Sequence, residues 1–143
     1  MLRSVLIPRA LIITPNLPEA AALLGSSVAE SEADMRVQAE RLLALGARSV
    51  LVKGGHGKGP ESVDIFVDGT AELRLPAPRI ATESTHGTGC TLSSAIAAGL
   101  ANQRPLAEAV AEAKAYVTAA IVMANRLSIG HGHGPVHHFH AWW

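Results

Sequence analysis

The stretch ALIITPN, residues 10–16, decides the fold. Leu11 to Thr14 reads as a short buried strand, Pro15 ends it, and Asn16 is a residue type that caps helices. Strand, turn and helix therefore follow directly, the helix running to about Gly25. The next segment, SEADMRVQAERLLALG (31–46), offers Ser31 as a cap with Asp34 three residues on, good helix formers, and Gly46 as a stop. RSVLVKGG (48–55) is then a partly β-branched apolar run halted by glycines. The order strand, helices, strand predicts a right-handed parallel βαβ crossover.

Outward from that unit, SVDIFVDGTAELRLPAP (62–78) alternates on both sides of Asp68-Gly69, a dipeptide favoured in tight hairpin turns, and Pro76 and Pro78 end the alternation. An antiparallel hairpin is expected there. Two more helices follow, from about Thr88 to Ala101 and from Pro105 to about Leu127, before a glycine- and histidine-rich tail at 128–143. The small residues Ser93 to Ala98 are expected to let the first of these helices sit close to a sheet. No internal repeat and no linker divides the chain, so residues 1–143 read as one α/β domain. The sheet is small for four helices: about two parallel strands and one hairpin. A sheet of that size reads as half of a larger one.

Composition narrows the function. The 143 residues are 48% hydrophobic, enough for a buried core. Twelve basic residues balance twelve acidic ones without a polybasic run, which favours neither nucleic acid nor an anionic membrane surface as partner. No apolar stretch approaches the roughly 18 residues of a spanning helix, and MLRSVLIPRALIITPN is broken by Pro8 and has no cleavage site of small residues. The single cysteine, Cys90, can form no internal disulfide, in keeping with a reducing, cytoplasmic compartment.

Three motifs carry chemistry. In THGTGC (85–90) a glycine-rich turn opens a helix, which turns backbone N–H groups without internal partners toward one small concavity at the positive end of the helix dipole. Gly87 and Gly89 would let a phosphate approach the backbone, Thr88 could add a hydroxyl, and Cys90 would lie in the first turn. The field there favours thiolate, so Cys90 could accept a proton from an attacking hydroxyl. The alternative is a glycine turn with a packed small cysteine. Asn16 and Glu19 have the spacing of a capping box. They also sit at the carboxyl end of a strand, where α/β sheets bind ligands, and could hold Mg²⁺ through water. Lys53, at the end of its strand, can meet a phosphate as a point charge. LVKGGHGKG is not a P-loop, because Lys58 is followed by Gly59. His131, His133, His137, His138 and His140 could take up metal adventitiously, but their spacing fits no closed zinc site.

In this order, TPNLPEA, VLVKGGH, the hairpin, STHGTGCTLSSAIAAGLA, AKAYVTAAI and GHGHGPV resemble the hydroxymethylpyrimidine kinase and phosphomethylpyrimidine kinase family of thiamine biosynthesis, in the ribokinase-like superfamily. Sugar kinases of that superfamily carry aspartate where this chain has Cys90. The resemblance implies a three-layer α/β/α ribokinase-like fold, of which this chain is similar to the carboxyl-terminal half. It implies Gly87, Thr88 and Gly89 as an anion hole, Cys90 as catalytic base, and Asn16 and Glu19 as the element that organises Mg²⁺ and the ATP phosphates. Lys53 matches a lysine near those phosphates. The implied reaction moves the ATP γ-phosphoryl group to 4-amino-5-hydroxymethyl-2-methylpyrimidine and then to its monophosphate. Pyridoxal is the neighbouring substrate, and a non-catalytic nucleotide- or phosphate-binding module is the reading from another class. An open sheet edge would invite a second copy or a complementing amino-terminal half. HHFHAWW (137–143) lies beyond the matched motifs.

Overall fold

The structure, a computed structural model, describes residues 2–57, 59–129 and 131–142; Lys58, on which the P-loop reading turned, lies outside them. The chain forms two compact units, Met1–Arg79 and Ile80–Trp143.

In the first unit, α1 (Leu17–Leu24) and α2 (Glu32–Ala44) precede β1 (Val50–Lys53), β2 (Asp64–Val67) and β3 (Glu72–Leu75). Both helices start where the sequence places their caps. Asn16 Oδ1 accepts the Glu19 N–H and Glu19 Oε2 accepts the Asn16 N–H, each at 2.8 Å. Ser31 and Asp34 form the second reciprocal box. Gly25 (φ 64°) and Gly46 (φ 100°) leave their helices in the left-handed region that glycine tolerates. The expected parallel strand at Leu11–Thr14 is reduced to bridges: Ile13 pairs with Val50 and Asn16 with Lys53, both parallel. Its backbone is nonetheless bonded to β1, through Ile13 N–H to Ser49 O and Leu51 N–H to Ile13 O. The continuous sheet is antiparallel, in the order β1-β2-β3. Leu11, expected to be buried, is 48% exposed, because only one edge of its segment is bonded to a neighbour among the described residues.

Register fixes the core. Val50 faces Val67 and Val52 faces Ile65, so these four share one side of the sheet. Leu17, Ala20 and Leu24 of α1 and Met35, Ala39 and Leu42 of α2, at helical spacing, join them in one buried cluster. Burying a Leu or Val side chain of this kind contributes about 1.5–3 kcal/mol. Residues 2–9 form short helical turns that the sequence reading left unassigned, and they insert Ile7 into the same core. On the surface, Arg74 bonds Glu32 of α2 and Glu61, while Arg36 bonds Glu72 of β3. The hydrogen bond from Arg74 holds the Glu32 carboxyl below its usual range. The hairpin turn is centred one residue later than its signature dipeptide. Asp68 and Ala71 close it, Gly69 (φ 84°) takes the first central position, and Asp68 Oδ1 accepts the N–H groups of Thr70 and Ala71.

In the second unit, α3 (Thr88–Ala101) and α4 (Leu106–Val122) pack on one another. The expected fourth helix ends earlier, at Val122, with a separate helical turn at Ala124–Arg126. Close approach belongs to Gly99, where a Cβ would lie 2.9 Å from that of Ala109. Ser93, Ser94, Ala97 and Ala98, expected to serve close packing, are exposed. No helix among the described residues is long and apolar enough to cross a membrane.

Candidate active site

The site residues of the first unit gather at one end of the sheet. The bridge between Asn16 and Lys53, with Lys53 N–H donating to Pro15 O at 2.9 Å, sets the start of α1 beside the end of β1. Glu19 is exposed on the first turn of α1, and one of its carboxylate oxygens is engaged by the cap. The other oxygen makes no hydrogen bond among the described residues and can face solvent. This fits a water-mediated Mg²⁺ contact: the set supplies one free carboxylate oxygen, and no group of three metal-ligating side chains occurs among the described residues. The cap takes the single side-chain oxygen of Asn16 and one of the two of Glu19, so the second Glu19 oxygen can serve a metal-bound water while the cap is kept.

Past Lys53 the chain turns tightly. A Cβ on Gly54 would lie 2.0 Å from Val63 O, so only glycine fits. Its N–H donates to Oδ1 of buried Asp64 at 2.9 Å, and Asp64 is the cross-strand partner of Lys53. The Arg79 guanidinium then donates to the carbonyls of Gly55, Gly59 and Glu61, at 2.8 to 2.9 Å, holding the loop between β1 and β2. Sequence reasoning missed both. Asp64 left a signal, an acid opening an otherwise apolar strand; Arg79 left none.

In the second unit, Gly87 (φ 80°) is the N-cap of α3, and Thr88, Gly89 and Cys90 form its first turn. The Thr88 N–H donates to Thr85 O, and the first bond of the helix ladder runs from Thr91 N–H to Gly87 O at 2.8 Å. Between these, the N–H groups of Gly89 and Cys90 have no main-chain acceptor and are free for a ligand. The Thr88 hydroxyl donates to Thr85 O at 2.6 Å, so in this conformation an anion meets backbone N–H groups and not that hydroxyl proton. Cys90 is exposed and lines an open groove of about 1080 Å³ between α3 and α4. Chemically, the turn combines two N–H groups without main-chain acceptors and an exposed thiol.

The histidines of the tail are dispersed. His137 is buried, His133 and His138 are exposed, and the His140 ring packs on Tyr116 with centroids 5.3 Å apart.

A family model described as Phosphomethylpyrimidine kinase matches residues 1–137. The chain is 61% identical over 138 residues to a hydroxymethylpyrimidine/phosphomethylpyrimidine kinase of Rhizobium meliloti, covering 96% of this chain and 52% of that protein. It is 53% identical to a thiamine biosynthesis bifunctional protein of Geobacter sulfurreducens, covering 96% of this chain and 28% of that one. Among solved structures, an ADP complex of Bacillus subtilis pyridoxal kinase superposes with a TM-score of 0.91 at 38% identity, over 98% of this chain and 52% of that one. The fold is thus part of a ribokinase-like α/β fold, and the chain spans about half the length of the curated kinase it matches best among these. The family match over residues 1–137, nearly the whole chain, places it in the phosphomethylpyrimidine kinase family.

Proposed function

We propose that this chain carries the phosphate side of an ATP-dependent kinase acting on 4-amino-5-hydroxymethyl-2-methylpyrimidine and its monophosphate. The observation that carries the proposal is the first turn of α3, where unpaired N–H groups of Gly89 and Cys90 flank an exposed thiol. In the reaction the substrate hydroxyl oxygen bonds to the γ-phosphorus, the bond from that phosphorus to the β,γ-bridging oxygen breaks, and ADP leaves. Cys90 Sγ takes the hydroxyl proton. Gly87 shapes the turn, and the N–H groups of Gly89 and Cys90 meet the charge on the phosphoryl oxygens. Glu19 would hold Mg²⁺ through water, and the charge supplied there offsets that of the ATP phosphates. Lys53 adds a cation beside them.

The ADP complex of the related pyridoxal kinase supports nucleotide as the donor. The same relative makes pyridoxal the substrate to compare. Turnover of the two heterocycles, followed by mass spectrometry of the phosphorylated products, tests the assignment: faster phosphorylation of the pyrimidine is expected, and preferential phosphorylation of pyridoxal overturns it. A second reading, phosphate binding without turnover, is favoured by the half-length match. In that case MgATP binds and neither heterocycle is phosphorylated. The half-exposed edge at Leu11–Thr14 supports association with a complementing amino-terminal half or a second copy, which sedimentation would reveal.

A further inference from the structure

We infer that residues 133–137 of the tail form a strap that sets the loop entering the anion-binding turn, with His133 and Gly134 as positioning residues. One end of the strap is tied to α4. The His137 N–H donates to Ala120 O at 3.0 Å, the Tyr116 hydroxyl donates to His138 O at 2.8 Å, and Val136 is buried. The other end grips residues 83–86. The His86 N–H donates to Gly134 O at 3.1 Å, and His86 and Pro135 form a parallel bridge. His133 Nδ1 lies 3.1 Å from Glu83 O; since a carbonyl only accepts, Nδ1 carries the proton. Gly134 sits close against the loop: a Cβ there would lie 2.7 Å from Ser84 Oγ and 3.4 Å from Ser84 Cβ, so the Ser84 side chain would have to move. One residue further back, the Thr82 hydroxyl meets Asn125 Oδ1 at 2.8 Å, anchoring the start of the same loop.

Residues 82, 83 and 86 are thus bonded to residues 125, 133 and 134 respectively, and Gly87 follows immediately in its left-handed conformation. The direction of the Gly89 and Cys90 N–H groups depends on where this loop enters α3. His133 and Gly134 of GHGHGPV therefore have a role that needs no metal: they fit the strap against the loop. The inference rests on the phosphate reading of that turn.

Because Cys90 is the chain's single cysteine, its alkylation by iodoacetamide reports on the turn without ambiguity. The probe is inorganic pyrophosphate, added to the full chain without Mg²⁺, and the quantity read is the concentration that halves the alkylation rate. Pyrophosphate is expected to protect the unmodified protein. His133→Ala should raise the half-protection concentration about fivefold, the equivalent of one net hydrogen bond of about 1 kcal/mol. His133→Asn, whose amide can replace Nδ1, should restore it. Gly134→Ala should weaken protection further, and if that variant does not fold, the exposed His133 pair still decides. A merely structural strap would lower the melting temperature of these variants and leave half-protection unchanged, which overturns the inference alone. An unmodified chain that pyrophosphate does not protect overturns the phosphate reading, and the inference with it.

Discussion

Replacing Glu19 by Gln separates two roles that share one side chain. In the structure Glu19 Oε2 accepts the Asn16 N–H at 2.8 Å and the Glu19 N–H donates to Asn16 Oδ1 at the same distance. A glutamine carbonyl oxygen can take the place of Oε2, and Gln is as usual as Glu at this position of a capping box. What the substitution removes is the negative charge near the α1 amino terminus, worth about 0.3–1 kcal/mol at an exposed site. Asn16→Ala is the complementary perturbation: it deletes the Oδ1 acceptor and should cost about 1 kcal/mol, the usual loss when a cap residue becomes alanine. For a chain of this length that lowers the melting temperature by roughly 2–4 °C. Thermal unfolding, paired with titration of Mg²⁺ against MgATP binding, reads both terms. Glu19→Gln should melt within about 1 kcal/mol of the parent protein while requiring at least several-fold more Mg²⁺. A Glu19→Gln protein that loses stability but keeps its Mg²⁺ dependence would refute the metal role and leave only the cap.

Other outcomes follow from single contacts. Gly54→Ala drives a Cβ to 2.0 Å from the Val63 carbonyl oxygen, so backbone must move; the expected cost exceeds about 3 kcal/mol, visible as loss of the folded baseline in urea. Gln103 is the one non-glycine among the described residues with positive φ (61°), just past the α3 terminus; Gln103→Gly should raise stability by up to about 1 kcal/mol, and a lower melting temperature would contradict this. Arg74 holds Glu32 below its usual range, the Ser31 hydroxyl does so for Asp34, and the Thr70 N–H for Asp68. Their folded values lie below their unfolded ones, so their contribution is complete above roughly pH 5 and is lost as pH falls through the folded values. Asp68→Asn should therefore flatten the acid limb of the stability profile, and an unchanged limb would count against Asp68.

Local chemistry made much of this fold legible. The two capping boxes, the glycine stops and the apolar spacing of α2 announce themselves in sequence, because each is satisfied within a few residues. The hairpin was equally plain, though Asp68 caps the turn and Gly69 enters it, a one-residue shift that dipeptide statistics do not resolve. What sequence did not reveal depends on distant partners. The Leu11–Thr14 strand shrinks to bridges because only one edge is bonded, and the Arg79 contacts join residues 18 to 24 positions apart. The same holds at the site. Cys90 and its glycines stand in one turn and could be read together, whereas the strap that seats their loop lies some fifty residues downstream and surfaced only as a histidine-rich tail.

The most direct measurement is mass-spectrometric detection of phosphorylated hydroxymethylpyrimidine after incubating the chain with MgATP and that substrate, for the parent protein and for Cys90→Ala. The account predicts product from the parent, and from Cys90→Ala a rate lower by about 10²-fold or more, with nucleotide binding retained, since a positioned general base contributes on that order. Product formed by Cys90→Ala at the parent rate, or no product from a folded parent chain that binds MgATP, would contradict it.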